Sequence, residues 1–123
     1  MPEKSPRTIF VVDDETVIAS TLAIILNSSG FQATAFTSAE EALVAVDLGC
    51  PDLLITDVSM PGMNGIELAV RFKSLCQSCK VLLFSGHHST SVLLEAAREH
   101  GHDFQLLTKP VHPKDLLAAI SAT

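Results

Sequence analysis

Basic residues are scarce in this chain: 8 Lys and Arg stand against 14 Asp and Glu among 123 residues, for a formal net charge of -6. A protein that grips nucleic acid non-specifically or lies on an anionic membrane needs a basic patch to meet phosphates. The eight cations are scattered, so neither direct nucleic-acid contact nor a membrane surface is expected. No apolar stretch approaches the roughly 20 residues of a membrane span, and residues 1–8 are polar with Pro2 and Pro6, unlike a secretory signal. A cytoplasmic address is the resulting expectation. Cysteine is also sparse, with only Cys50, Cys76 and Cys79. Three is an odd number in a chain that is 47% hydrophobic and can build a core without staples, so no disulfide framework is expected. Cys76 and Cys79 form a CxxC, but no second ligand pair accompanies it. It also precedes an apolar run instead of opening a helix after one, so zinc and thioredoxin-like chemistry are not expected.

What the chain does have is a rhythm of short apolar runs: Ile9 to Val12, Leu53 to Ile55, Val81 to Phe84 and the weaker Phe104 to Leu107. Continuous apolar strands are buried on both faces, as in a parallel sheet covered by helices. Between the first two runs lie helical spacings, Ile18, Leu22, Ile25 and Leu26, then Ala39, Ala42, Leu43 and Val46. Gly30 reads as a helix terminator and Ser38 with Glu41 as a capping box, while Gly49-Cys50-Pro51 stops the second helix. A fourth helix is expected over about residues 89–100, closed by Gly101, and Pro113 opens a fifth. Gln32 to Thr37, short and mixed, reads as an edge strand. Five βα units in 123 residues imply one domain of the α/β class, a doubly wound five-stranded parallel sheet.

Asp13 and Asp14 then fall at the C-terminal end of the first strand and Asp57 at that of the third. In the flavodoxin-like strand order 2-1-3-4-5 these strands are neighbours flanking the crevice of the switch point. Three carboxylates brought together repel unless some take protons or a hard cation sits among them, and magnesium suits such a set. A carboxylate can also act as a nucleophile toward phosphorus. Ser85 ends the fourth strand and Lys109 follows the fifth, offering a hydroxyl donor and a point charge to phosphoryl oxygens.

Taken together, VVDDE (11–15), TDVSMPGMNG (56–65), FSG (84–86) and TKP (108–110) resemble the signature of response-regulator receiver domains of two-component signalling, of the chemotaxis-regulator kind. The likeness covers nearly the whole chain, with residues 1–7 as a polar N-terminal extension and 8–123 as the domain. It implies that Asp57 accepts a phosphoryl group from a histidine kinase or histidine phosphotransfer protein. Asp13, Asp14, Asp57 and the Ser59 backbone carbonyl would hold Mg2+, with Ser85 and Lys109 serving the transferred group. It further implies a cis Lys109–Pro110 peptide, a loop shaped by Pro61, Gly62 and Gly65, and tuning of acyl phosphate hydrolysis from Ser59 and His87. Its partners would be that donor and a downstream output protein or domain, reached through a surface of the fourth and fifth helices and fifth strand. A phosphorylation-dependent dimer is compatible with it.

The pattern is not followed everywhere. Many receivers carry an aromatic residue three positions before the lysine, where this chain has Leu106, which puts the aromatic form of the switch in question. Val92, Leu93 and Leu94 exceed what one inward helix face absorbs, and either a partner or a neighbouring loop would cover the excess. Asp13 and Asp14 could simply be N-terminal caps for the first helix. Two other classes fit less well. A haloacid-dehalogenase-type phosphatase wants a second Asp at position 59, which is Ser, and a flavin-binding flavodoxin wants a phosphate loop where Asp-Asp-Glu stands. The expectation is a signalling protein and not an enzyme, either free-standing or the receiver portion of a longer regulator.

Overall fold

Every apolar run of the sequence becomes a strand of one parallel sheet. The computed structural model describes residues 7–86, 95, 98–99, 101, 104–109 and 111–123. Strands β1 (Thr8–Val12), β2 (Gln32–Phe36), β3 (Leu53–Asp57), β4 (Lys80–Ser85) and β5 (Gln105–Thr108) lie in the order β2-β1-β3-β4-β5. All four neighbouring pairs are parallel. Helices α1 (Thr16–Ser28), α2 (Ala39–Ala45) and α3 (Gly65–Leu75) and the C-terminal helix (Pro113–Ser121) complete the described elements, with a 3-10 turn at Val46–Leu48. None of these helices is long and apolar enough to cross a membrane.

The period-2 alternation of strands divides the apolar runs between two cores. Ile9, Val11, Leu53, Ile55, Leu82 and Phe84 face one side, against Leu22 and Leu26 of α1 and Leu116 and Ile120 of the C-terminal helix. Val12, Leu54 and Leu83 face the other, against Ala39 and Ala42 of α2 and Leu68 and Phe72 of α3. Both faces of β3 are therefore buried, which is why LLIT needs no polar alternation. Phe72 is fully buried, and truncating such a residue to alanine costs about 3–5 kcal/mol.

Local signals account for most boundaries. Gly30 follows α1 at φ 97°, a conformation that favours glycine. The Ser38 side chain accepts from the Glu41 N–H, but Glu41 reaches back to the N–H of Thr37, not that of Ser38. Helix α3 carries a complete capping box between Asn64 and Glu67, a pattern that also stands in the sequence. The acidic-cap alternative for α1 is corrected: its N-cap is Glu15, which makes no side-chain cap. Asp13 instead accepts from the Glu15 N–H at 2.9 Å and is held inward.

The cysteine expectation is corrected as well, because Cys50 and Cys76 are joined by a disulfide across a Cα separation of 5.8 Å. The loop leading into β3 and the C-cap of α3 meet at the same end of the sheet, so cysteines 26 positions apart become neighbours. Cys79 is free and buried. Of the expected fourth helix only Glu95, Arg98 and Glu99 lie among the described residues, and they are helical. Val92, Leu93 and Leu94 lie outside them.

Candidate functional site

Hydrogen bonding continues one residue beyond the strand ends and sets the level of each site residue. The Asp13 N–H donates to Phe36 O (3.1 Å), Val58 N–H to Phe84 O (2.9 Å) and Lys109 N–H to Ser85 O (3.0 Å). These bonds fix the backbone at the C-terminal edges of β1, β3 and β5, so their side chains converge from chain positions nearly a hundred residues apart. Asp13 is wholly buried and Asp57 is 5% exposed, whereas Asp14 stands at the solvent side. One carboxylate oxygen from each of the three lies within 4.8 Å of the others.

Lys109 reaches into this cluster from β5. Its Nζ lies 3.1 Å from Asp13 Oδ2 and 3.3 Å from Asp57 Oδ1. Burial pushes the Asp57 carboxyl above its ordinary range, and the Asp13 and Asp14 charges push the same way, while Lys109 opposes them. For Lys109, burial favours the neutral amine, but its hydrogen bond to Asp13 and the charge of Asp57 outweigh that and raise its pKa. The lysine thus stays a cation, yet one positive charge faces three negative ones. Oxygen-only donors, one fully buried and one open to solvent, form a set that fits a hard divalent cation which retains several waters.

Ser85 is buried at the end of β4, one residue beyond the Phe84–Asp57 strand pair. Ser59 is exposed in the loop after Asp57. Two glycines of that loop have physical reasons to be glycine. Gly62 has φ 75°, and a Cβ on Gly65 would overlap the Asp57 carbonyl oxygen and lie 2.8 Å from its carbon. The Thr56 hydroxyl donates to that same carbonyl at 3.0 Å. These backbone supports were invisible in the spacing of the carboxylates. His87, His88 and Pro110, with the expected cis peptide, lie outside the described residues.

Leu106 pairs with Leu83 across the sheet and is 37% exposed. Beside Lys109 opens an apolar groove of about 560 Å³, lined by Val17, Ile18, Leu22 and Ile25 of α1 together with Val111 and Pro113.

Comparison with known families decides the assignment: the family model described as "Response regulator receiver domain" matches residues 9–121. The chain belongs to the response regulator receiver domains. Among curated relatives of this receiver, the transcriptional regulatory protein FixJ of Azorhizobium caulinodans is 35% identical over 100% of this chain and 56% of its own length. The DNA-binding response regulator MtrA of Mycolicibacterium paratuberculosis is 34% identical over 94% of this chain and 50% of its own length. The chain thus spans about half the length of these relatives. Among solved structures, a receiver domain protein from Clostridium thermocellum superposes with a TM-score of 0.84 at 29% identity, covering 94% of this chain and 92% of that one. The response regulator protein TrrA of Thermotoga maritima, in complex with Mg(2+)-BeF, gives a TM-score of 0.80 at 26% identity, covering 94% of this receiver and 97% of that chain. Fold class and strand order agree with the reading of the sequence.

Proposed function

We propose that Asp57 is the phosphoacceptor of a two-component phosphorelay, charged by a histidine kinase or histidine phosphotransfer protein with Mg2+ at the acidic cluster. The observation that carries this reading is the burial of the Asp57 carboxylate beside two others and a single lysine. In the transfer, an Asp57 oxygen attacks phosphorus, the phosphorus–nitrogen bond of a donor phosphohistidine protonated on its other ring nitrogen breaks, and the imidazole leaves neutral, keeping that proton. Lys109 exchanges its contact with Asp57 for one to a phosphoryl oxygen, and the Ser85 hydroxyl donates to another. Asp13, Asp14, Asp57 and the Ser59 carbonyl would hold Mg2+, which when bound would supply positive charge against the incoming phosphoryl oxygens. The groove between α1 and the C-terminal helix offers the donor protein an apolar surface next to Lys109.

The readout is the surface of the fourth and fifth helices and the fifth strand, moved when Ser85 is drawn toward the phosphoryl group, with Leu106 repacking where many receivers rotate an aromatic ring. Ser59 and His87 set the lifetime of the acyl phosphate. The chain is a cytoplasmic signalling protein whose own chemistry is limited to accepting and hydrolysing a phosphoryl group. Its output is a separate protein or an attached domain, and this segment itself does not contact nucleic acid. Incubation with a small acyl phosphate donor tests the reading. One added phosphoryl mass is expected on the wild type with magnesium, and none on Asp57→Asn or in a chelator. Equal labelling of wild type and Asp57→Asn would remove Asp57 from the role.

A further inference from the structure

The three cysteines gather at the end of the sheet opposite the acidic cluster, where the chain enters β3 and β4. Cys50 is exposed, Cys76 is 5% exposed at the C-cap of α3, and the two are bonded. Cys79 differs in kind. It is 1% exposed, its Sγ lies 3.3 Å from the Lys80 carbonyl oxygen, and burial pushes its thiol up to about 11. A thiol held protonated is a poor nucleophile, so the CxxC pair that the sequence displays is not the reactive pair. A cleft of about 310 Å³, lined by Cys50, Cys76, Gln77 and Ser78 among others, opens beside the bond and admits a small thiol. Cys50 lies in the exposed loop before β3, and Cys76, at the C-cap of α3, is a buried member of one apolar core whose bulk is Leu54, Leu68, Phe72 and Leu83 on the sheet face. The fold therefore stands with the bond open or closed.

We propose that Cys50 and Cys76 form an exchangeable disulfide, opened and closed by low-molecular-weight thiols and disulfides of the glutathione class, which tethers the C-terminal end of α3 to the start of β3. Closure takes two exchanges. The exposed Cys50 thiolate attacks one sulfur of the small disulfide, that S–S bond breaks, and one small thiolate leaves a mixed disulfide on Cys50. The Cys76 thiolate then attacks the Cys50 sulfur and expels the second small thiolate. Two protein thiols give up two protons and two electrons, and the small disulfide becomes two thiols. The ring so closed, from Cys50 to Cys76, contains all of β3 and α3. Opening it releases the last turn of α3 from the loop before β3.

Thiol trapping across graded mixtures of glutathione and its disulfide tests this on the whole chain. The expected oxidised product has one alkylatable thiol, assigned to Cys79, and reductant restores all three. Reduction should lower the thermal midpoint by on the order of 10 °C and speed amide exchange in the last turn of α3. Cys79→Ser should keep the full response, while Cys50→Ser should match the reduced wild type and ignore reductant. Failure to close, a lasting mixed disulfide on Cys50, a bond to Cys79, or equal thermal midpoints of the two states would each overturn the proposal. Because alkylated wild type serves as a second open form, a poorly folding variant does not shield it.

Discussion

Replacing Gly65 with alanine puts a methyl group where the backbone of Asp57 already lies. Its Cβ would stand 2.8 Å from the Asp57 carbonyl carbon and 3.0 Å from Val58 Cα, besides overlapping the carbonyl oxygen. Carbon atoms settle at about 3.5–4.0 Å, so the start of α3 and the end of β3 must separate by roughly 1 Å. Neither yields freely: Gly65 N–H is bonded to Val58 O at 2.9 Å, and Val58 N–H to Phe84 O at 2.9 Å. Overpacking of this kind costs about 1–3 kcal/mol, partly offset by the better helix propensity of alanine, worth about 0.5–1 kcal/mol. A net loss of about 1–2 kcal/mol leaves a domain of ordinary stability folded. Displacing a reacting group by about 1 Å, in contrast, costs on the order of 100-fold in rate. Urea denaturation and the rate of phosphoryl uptake, followed by intact mass, separate the two effects. Gly86→Ala supplies the stability control, since its Cβ would meet only Lys109 Cβ, at an ordinary 3.8 Å. A Gly65→Ala protein within about 0.5 kcal/mol of wild type that also accepts phosphoryl groups at an unchanged rate would refute the reasoning.

Three other consequences follow from the same geometry. Since the folded Asp57 carboxyl holds its proton above its ordinary value of 3.8, the folded state binds more protons than the unfolded one in the window from there to its raised value. Stability of the metal-free protein should fall as pH rises through that window, and Asp57→Asn, which cannot ionise, should melt higher than wild type at neutral pH in chelator; calorimetry reads both. Magnesium at about 100 times its dissociation constant should stabilise the wild type by about 2.7 kcal/mol. Asp13→Asn should abolish most of that gain, and a full gain in the variant would exclude the wholly buried carboxylate as a ligand. Asn64→Ala removes the capping box of α3 and should cost about 1 kcal/mol in urea denaturation, with little effect on Gly30 or the α1 end of the molecule by amide exchange.

The site was legible because each of its residues follows an apolar run, and parallel strands end at one edge. Asp13, Asp57, Ser85 and Lys109 could be placed by counting to the end of VVD, LLITD, LLFS and LLTK. What was not legible depends on contacts made in three dimensions. The Cys50–Cys76 bond requires knowing that the C-cap of α3 falls beside the loop into β3, which no spacing rule encodes. The resemblance named Gly65 for the loop after Asp57, but the reason it must be glycine lies in the backbone of Asp57 and not in its own φ. Glu15 is the N-cap of α1 with no capping side-chain bond, while the Asp13 carboxylate, which accepts from the Glu15 N–H, is held in the buried acidic cluster. The α3 capping box, in contrast, is local and stands in the sequence as Asn64-x-x-Glu67.

The measurement that bears most directly on the central claim is the position of the phosphoryl group. Borohydride reduces an aspartyl phosphate to homoserine, so the labelled protein can be reduced, digested and mapped by tandem mass spectrometry. The account predicts homoserine at position 57 alone, dependent on magnesium during labelling. Homoserine at position 13 or 14, or phosphoryl mass that survives on a side chain other than a carboxylate, would contradict it.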